Sequence, residues 1–300
     1  MKLTSLRDFL AVAERGGLRA ASRHLGLPQP AITRSIQELE KELGVTLFER
    51  GARGVSLTPM GEVFRRRANA VKQEIQRAKD EIDQLRGETY GTLQVCLSSA
   101  AHIALLPEVL RPFRARYPNL QIDIIDAVFP AVESALKDGT TDFYIGPTPP
   151  AVTGELEVEK LMDNTRLIMG RRGHPLSGAR SLKDLVDAEW LTTSITHKAE
   201  EELGPLFAQH GLPPPRLAVK AQSALTFLMT LSSTDLLMML PVQWVHSPVV
   251  SGLLQEIRVS EILPAPPICI VRRNSLPLTP AGEYFCTLVR RAAAHIKTTL

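Results

Sequence analysis

The sequence predicts a mixed α/β protein: a helical N-terminal part, a long connecting helix, and a C-terminal part in which strands and helices alternate. Three observations carry the prediction. Two short helical patterns flank Gly26, apolar residues then recur at heptad spacing from Phe64 to Leu85, and from Gly91 onward strand-like runs alternate with helical ones. The last pattern is that of a sheet covered by helices.

Composition sets the outer bounds. The chain has 300 residues, 44% hydrophobic and 22% charged, enough for two or three domains with full cores. No uninterrupted apolar run approaches a membrane span, and Met1–Asp8 lacks the apolar stretch of a secretory signal. A cytoplasmic protein with no membrane partner is expected. The net charge of +3 is unevenly placed. Residues 1–87 carry 16 Lys+Arg against 11 Asp+Glu and the remainder 19 against 21, so the excess positive charge lies N-terminal. Cys96, Cys269 and Cys286 are far apart with no C-x-x-C, which predicts reduced structural thiols. The seven His show no metal-ligand spacing with them, and neither metal nor cofactor is expected.

Leu3, Leu6, Phe9, Leu10 and Ala13 form an apolar stripe, which predicts a first helix from about Thr4 to Arg15. Arg19 to Leu25 reads as a short helix closed by Gly26. After it, Ile32, Ile36, Leu39 and Leu43 recur at four, three and four residues, one face of a helix. Gln29, Thr33, Arg34 and Gln37 fall on other faces, with no carboxylate before Glu38. Two helices joined by a tight turn, the second polar and basic near its start, form the helix-turn-helix pattern. Gln pairs bidentately with adenine and Arg with guanine or a phosphate, while Ala31 and the Thr33 methyl can touch a thymine methyl. The same residues also fit an ordinary amphipathic helix with a solvated face. Thr46–Arg50 and Val55–Leu57 flank Gly51-Ala52-Arg53-Gly54 as a small hairpin, from which Arg50 and Arg53 would reach phosphates or the minor groove.

Thr58-Pro59 supplies a capping residue followed by Pro at the first helical position. Phe64, Ala68, Val71, Ile75, Ala78, Ile82 and Leu85 then occupy alternating a and d positions of three heptads. A helix ending at Gly87 spans about 40 Å. So long a seam needs a cover, either the chain's own second domain or, as the strict 3.5 spacing favours, a second copy. These seven residues are the expected dimerisation seam. A dimer presents two reading heads to a site of approximate dyad symmetry.

The N-terminal blocks resemble those of the LysR-type transcriptional regulators. The likeness is carried by Ala21-Ser22-x-x-Leu25, Gln29-Pro30-Ala31-Ile32-Thr33, Leu39-Glu40-x-x-Leu43-Gly44, Leu47-Phe48-x-Arg50 and Leu57-Thr58-Pro59-x-Gly61, in the family's order and spacing. It implies a winged helix-turn-helix DNA-binding domain over residues 1–58, a linker and dimerisation helix over 59–87, and an effector-binding domain over 91–300. Gln29, Pro30, Ala31, Thr33, Arg34, Gln37, Arg50 and Arg53 would contact double-stranded DNA at an approximately palindromic operator. The family also implies a tetramer built as a dimer of dimers. Gly17 and Pro28 stand where the family usually has Ser. Pro28 has no hydroxyl to cap the reading helix, so a shifted start, or one held by Gln29, is expected.

In the C-terminal part, Leu93–Leu97 reads as a strand and Ser98-Ser99 open a helix running to Tyr117. Gln121–Ile125 is a second strand, Pro130–Lys137 a helix and Asp142–Ile145 a third strand. Beyond Leu161 a second set has strands at 165–169, 190–193, 217–220 and 236–240, with helices at 198–210 and 225–232. Ile268–Val271 returns to the first set, covered by a helix from Thr279-Pro280 to about Lys297. This order is similar to the family's two-subdomain domain, which is like periplasmic solute-binding proteins. Subdomain I would take 91–161 and 268–300, and subdomain II 162–267.

Ligands bind such sheets beyond the C-terminal strand ends, where helix starts offer free N–H groups to an anion. Ser98, Ser99, His102, Phe129, Thr196 and Ser223 are the effector-binding residues expected there. The serines also read as plain helix caps, which is compatible with touching an anion. The segment from Phe129 to Phe143 looks like that of members regulating aromatic-acid or aromatic-sulfonate breakdown, so a small anionic aromatic effector is expected. His174-Pro175-Leu176 matches a further block, expected as a surface turn with no ligand role. A hydrolase built on Ser98 or Ser99 with His102 would lack G-x-S-x-G and an orienting acid, and neither G-x-G-x-x-G nor a P-loop is present. No catalytic residue is expected.

Overall fold

A computed structural model describes residues 1–51, 54–148, 152, 154–193, 199–245 and 247–299, without the side chains of 50–51, 54, 199–202 and 297–299. It forms two compact units. One is Met1–Asp83 together with Asp138–Thr140, and the other is Gln84–Lys137 with Thr141–Leu300.

The first unit opens with α1 (Leu3–Arg15), α2 (Leu18–Leu25) and α3 (Gln29–Leu43). The hairpin β1 (Phe48–Gly51) and β2 (Gly54–Leu57) follows, and then the long α4 (Pro59–Leu85). The stripe on α1 buries Leu6, Phe9 and Leu10 against Ala21 of α2 and Ile32, Ile36 and Leu39 of α3. Leu43 departs from its expected place on the buried face and is exposed. The turn between α2 and α3 is closed by Gly26 in the left-handed region at φ 65, and Ser22 Oγ donates to Leu27 O at 2.6 Å. Glu40 explains its place in the sequence block: its carboxylate accepts the N–H groups of Leu47 and Phe48 at 2.7 and 3.2 Å, which anchors the hairpin to α3. Thr58 caps α4 as its sequence predicts, with Oγ1 accepting from Gly61 N at 3.0 Å.

Two expectations for this unit are corrected. The reading helix α3 starts at Gln29 with Pro28 as its N-cap, unshifted and without a side-chain cap, so Gln29 does not hold it either. The carbonyl of Pro28 accepts from Ala31 N at 2.9 Å, and the backbone alone closes the first turn. On α4, Phe64 and Ala68 are not part of an exposed seam. Ala68 is 1% exposed in the head's own core, and Phe64 packs edge-on against Phe9 with ring centroids 4.9 Å apart.

The second unit holds β3 (Thr92–Leu97), α5 (Ser99–Ala104), α6 (Leu106–Arg116), β4 (Gln121–Asp126), α7 (Glu133–Lys137), β5 (Phe143–Pro147) and β6 (Leu156–Met162). It continues through β7 (Arg166–Arg171), β8 (Glu189–Thr193), α8 (Ala199–Gln209), β9 (Arg216–Ala221), α9 (Ala224–Ser233) and β10 (Met238–Pro241). It ends with α10 (Pro248–Ser251), β11 (Leu254–Ile257), β12 (Ile268–Arg273) and α11 (Pro280–Thr299). A five-stranded sheet in the order β4-β3-β5-β12-β6 makes subdomain I. Its β3 lies parallel to both β4 and β5, whereas β12 runs antiparallel to β5 and β6. Subdomain II pairs β10-β7-β11 antiparallel and β8-β9 parallel, joined by one parallel bridge between Trp190 and Leu237. The chain crosses between subdomains twice, and the crossings meet where Thr165 bridges Pro264 and Arg166 N donates to Leu263 O at 2.9 Å.

The runs Phe143–Ile145 of β5 and Ile268–Val271 of β12 are apolar and buried because both faces of the sheet are covered, one by the cluster around Phe113 and Phe285, the other by Phe129, Val132 and Leu136. The sheet edge β6 was not expected from its sequence; Glu157 and Glu159 there pair with Arg272 and Arg290. The single helix expected from Ser98 to Tyr117 is two, broken at Leu105 (φ −115), since the ring of Pro107 clashes with a continuing helix. The helix expected from Pro130 begins only at Glu133, after a turn in which Ala131 N donates to Val128 O.

Candidate nucleic-acid interface and effector cleft

On α3 the apolar face is consumed by the core, which leaves Gln29, Pro30, Ala31, Arg34 and Gln37 exposed on one side. Thr33 is half-buried, and its hydroxyl donates back to Gln29 O at 3.0 Å, so it is the methyl that remains for contact with a base. These residues line an open groove of about 990 Å³ whose opposite wall is Lys2, Thr4, Ser5 and Asp8 of α1. The hairpin pairs Phe48 with Leu57 through Gly51 with Gly54. Arg53 and the side chain of Arg50 lie outside the described residues.

On α4, with Phe64 and Ala68 committed to the core, the rest of the expected seam is open. Val71, Ile82 and Leu85 are 41%, 58% and 74% exposed, Ala78 is exposed, and Ile75 is half-buried. Val71 and Ile75 also border an apolar cavity of about 290 Å³ against Leu3, Leu6 and Leu10 of α1. Large apolar side chains left in water along one helix stripe mark an association surface.

In the second unit, β3 has parallel neighbours on both sides, and the chain leaves it for β4 on one side and reaches β5 on the other. The end of β3 is therefore the point where strand order reverses, the place where open α/β sheets bind ligands. Ser98, Ser99 and His102 stand there. Ser98 is 2% exposed and its Oγ accepts from Ala101 N at 3.3 Å, so its hydroxyl is a buried helix cap. Ser99 is half-buried. His102 Nδ1–H donates to Ser98 O at 3.0 Å, which leaves Nε2 for another partner. Gly146 makes the junction possible, because a Cβ there would collide with the ring of Tyr144 and lie 2.7 Å from Ser98 Cβ.

Two effector assignments meet a different setting from the one expected. Phe129 does not face a cleft; it is buried against Tyr144, edge-on at 5.2 Å, because a ring next to the sheet gains more from burial than from water. Ser223 caps α9 through Thr226 N at 3.1 Å and is exposed, next to exposed Leu225 and Met229. Thr196 lies outside the described residues. Sequence reasoning missed Asp126, at the end of β4 beside His102. Partial desolvation raises its carboxyl above the ordinary aspartate range although the side chain still reaches solvent, and the charge of His102 opposes that rise. Its position at the end of a strand next to the switch point was the signal that could have found it. His174 forms the expected turn but is buried, with Nε2–H donating to Asp235 O and Nδ1 accepting from Leu176 N, both at 3.0 Å.

The three cysteines are free and buried, and burial pushes the Cys96 and Cys286 thiols up to about 12. Among the described residues no group of His, Cys, Asp and Glu could hold a metal ion, and no helix is long and apolar enough to cross a membrane.

Residues 3–62 match the bacterial regulatory helix-turn-helix protein of the lysR family, and residues 86–294, more than half of the chain, match the LysR substrate binding domain. The chain belongs to the LysR family of transcriptional regulators. This LysR-type regulator is 24% identical to the HTH-type transcriptional regulator TdcA of Escherichia coli (strain K12) over 295 residues, 98% of this chain and 94% of that protein. It is 30% identical to the HTH-type transcriptional regulator BenM of Acinetobacter baylyi over 227 residues, 72% of this chain and 73% of that one. The crystal structure of CbnR, a LysR family transcriptional regulator, matches with a TM-score of 0.71 at 24% identity, over 98% of this chain and 99% of that one. Full-length CbnR complexed with its target DNA matches with a TM-score of 0.70. The regulator is thus a DNA-binding transcription factor with an effector-binding domain, and not an enzyme.

Proposed function

We propose that this LysR-type regulator answers to a small anionic effector, an aromatic carboxylate or sulfonate, held between its two C-terminal subdomains, and that it reads an operator of approximate dyad symmetry as a dimer or dimer of dimers. The observation that carries the effector reading is the reversal of strand order at β3, with Ser99 and His102 placed at that edge. His102 uses Nδ1–H internally, so Nε2 is the ring atom left to meet an anion, directly or through a water. The aromatic part of the reading rests on the likeness of the segment from Phe129 to Phe143. The exposed stripe Val71, Ala78, Ile82 and Leu85 supports pairing through α4. Gln29, Pro30, Ala31, Arg34 and Gln37 would read base edges, with the Thr33 methyl beside them and Arg50 and Arg53 on the backbone.

Binding of effector would favour one arrangement of paired heads. A preference of about 1–3 kcal/mol is enough to change operator occupancy several-fold. Isothermal calorimetry with benzoate, salicylate and benzenesulfonate tests the effector class. Heat of binding that disappears in His102→Ala is expected, and no response to any aromatic acid or sulfonate removes the effector reading while leaving the DNA reading in place.

A further inference from the structure

We propose that the start of α1, through Lys2, Thr4 and Ser5, is a second DNA contact that grips the phosphate backbone bordering the groove read by α3. The inference rests on the reading of α3 as the recognition helix and extends it to the facing wall. Lys2 and Thr4 are exposed and Ser5 is half-buried, and all three line the same open groove as Gln29, Arg34 and Gln37. Among the described residues none of the three side chains is engaged by another protein group.

The wall is rigid. Leu6, Phe9 and Leu10 of α1 and Ile32, Ile36 and Leu39 of α3 share one core, so the two faces of the groove keep a fixed separation. A duplex whose major groove receives α3 therefore meets the start of α1 in a fixed register.

The chemistry of the wall separates its role from that of α3. An ammonium on a flexible stem and two small hydroxyls suit phosphate oxygens, whereas Gln and Arg on a helix suit the flat edges of bases. The carboxylate within this wall, Asp8, is buried, and Arg7 covers its Oδ1 with Nε and Nη2 at 3.1 and 2.8 Å. Its charge is offset within α1. Glu38, on the far side of the groove, is exposed and belongs to α3 rather than to this wall.

Phosphate contacts and base contacts leave different marks on binding. A lost phosphate contact weakens all duplexes alike and flattens the salt dependence, while a lost base contact weakens the operator alone. The test is fluorescence anisotropy of the full chain on the DNA upstream of its own coding region and on a shuffled duplex of equal length, over a salt series. Lys2→Ala should weaken both duplexes by the same factor, roughly fivefold as for one exposed charge pair. Its log–log salt slope should fall by about 0.9. Thr4→Ala with Ser5→Ala should weaken both duplexes equally at an unchanged slope, and Lys2→Arg should restore the parent behaviour. Far-UV circular dichroism melts confirm that the variants fold.

If Lys2→Ala keeps the parent affinity and slope while Arg34→Ala loses the operator, the α1 contact is wrong and the recognition helix stands. If Lys2→Ala weakens only the operator, Lys2 reads a base and the phosphate role is overturned. If Arg34→Ala and Gln29→Ala also bind as the parent does, the assignment of the recognition helix has failed, and the inference falls with it.

Discussion

Gly61 is the position at which one added methyl group should decouple the hairpin from α4. It is buried in the first turn of α4. A Cβ there would overlap the carbonyl oxygen of Leu47, lie 3.0 Å from its carbonyl carbon and 2.9 Å from Leu57 Cδ2. Leu47 is itself buried, and its oxygen accepts from Thr58 N, so the obstacle is backbone that cannot swing aside. Overpacking of this kind costs about 1–3 kcal/mol, and a backbone clash puts it near the upper end. The helix propensity of Ala returns about 1 kcal/mol. The net expectation for Gly61→Ala is a loss of about 2 kcal/mol, or roughly 8–16 °C in a unit of this size. Both tryptophans, Trp190 and Trp244, belong to the second unit, so their fluorescence does not report on the head. Melts of the full chain followed by far-UV circular dichroism should show the head transition moving down while the tryptophan transition stays. An unchanged dichroism melt with parental operator affinity would refute the packing of Gly61 on Leu47.

Gly17→Ser should work in the opposite direction. Gly17 is the N-cap of α2 in extended backbone with open space around its Cβ position, so a hydroxyl cap in place of glycine should add about 0.3 kcal/mol, read as a slightly higher melting temperature of the head. Ile82→Glu should lower the oligomeric mass in light scattering with little change in melting, because Ile82 is exposed in the single chain; a parental mass would exclude α4 as the pairing surface. Cysteine titration with a thiol reagent at neutral pH should find no reactive group in the native protein and three after unfolding, since burial raises all three thiols. Asp126 titrates above its unfolded value, so its stability cost is present at neutral pH and fades as pH falls below the ordinary aspartate range. Asp126→Asn should therefore melt higher at neutral pH, equal the parent in acid and bind benzoate more tightly; a lower melt at neutral pH would contradict the assignment.

How far the sequence could be read depended on whether one environment wrote each pattern. The spacing of Ile32, Ile36 and Leu39 reports one buried face, and the structure returns it. The heptads of α4 pass through two environments: Phe64 and Ala68 serve the head's core, while Val71, Ile82 and Leu85 remain in water. Spacing is the same in both, so it cannot separate them. Edge strand β6 was hidden because its Glu157 and Glu159 find partners in Arg272 and Arg290, more than a hundred residues away. Phe129 was placed at the cleft from its position after a strand, whereas the ring turns inward onto Tyr144, a choice made by packing rather than by local sequence. The groove wall formed by Lys2, Thr4 and Ser5 needed the crossing of α1 over α3, which no local pattern records.

Footprinting of the full chain on the DNA upstream of its own coding region tests the central claim most directly. Two protected patches should appear on one face of the duplex, about one helical turn or a multiple of it apart, with their balance altered by an aromatic carboxylate. Protection of a single short patch, or of none at low ionic strength, would contradict paired reading heads under effector control.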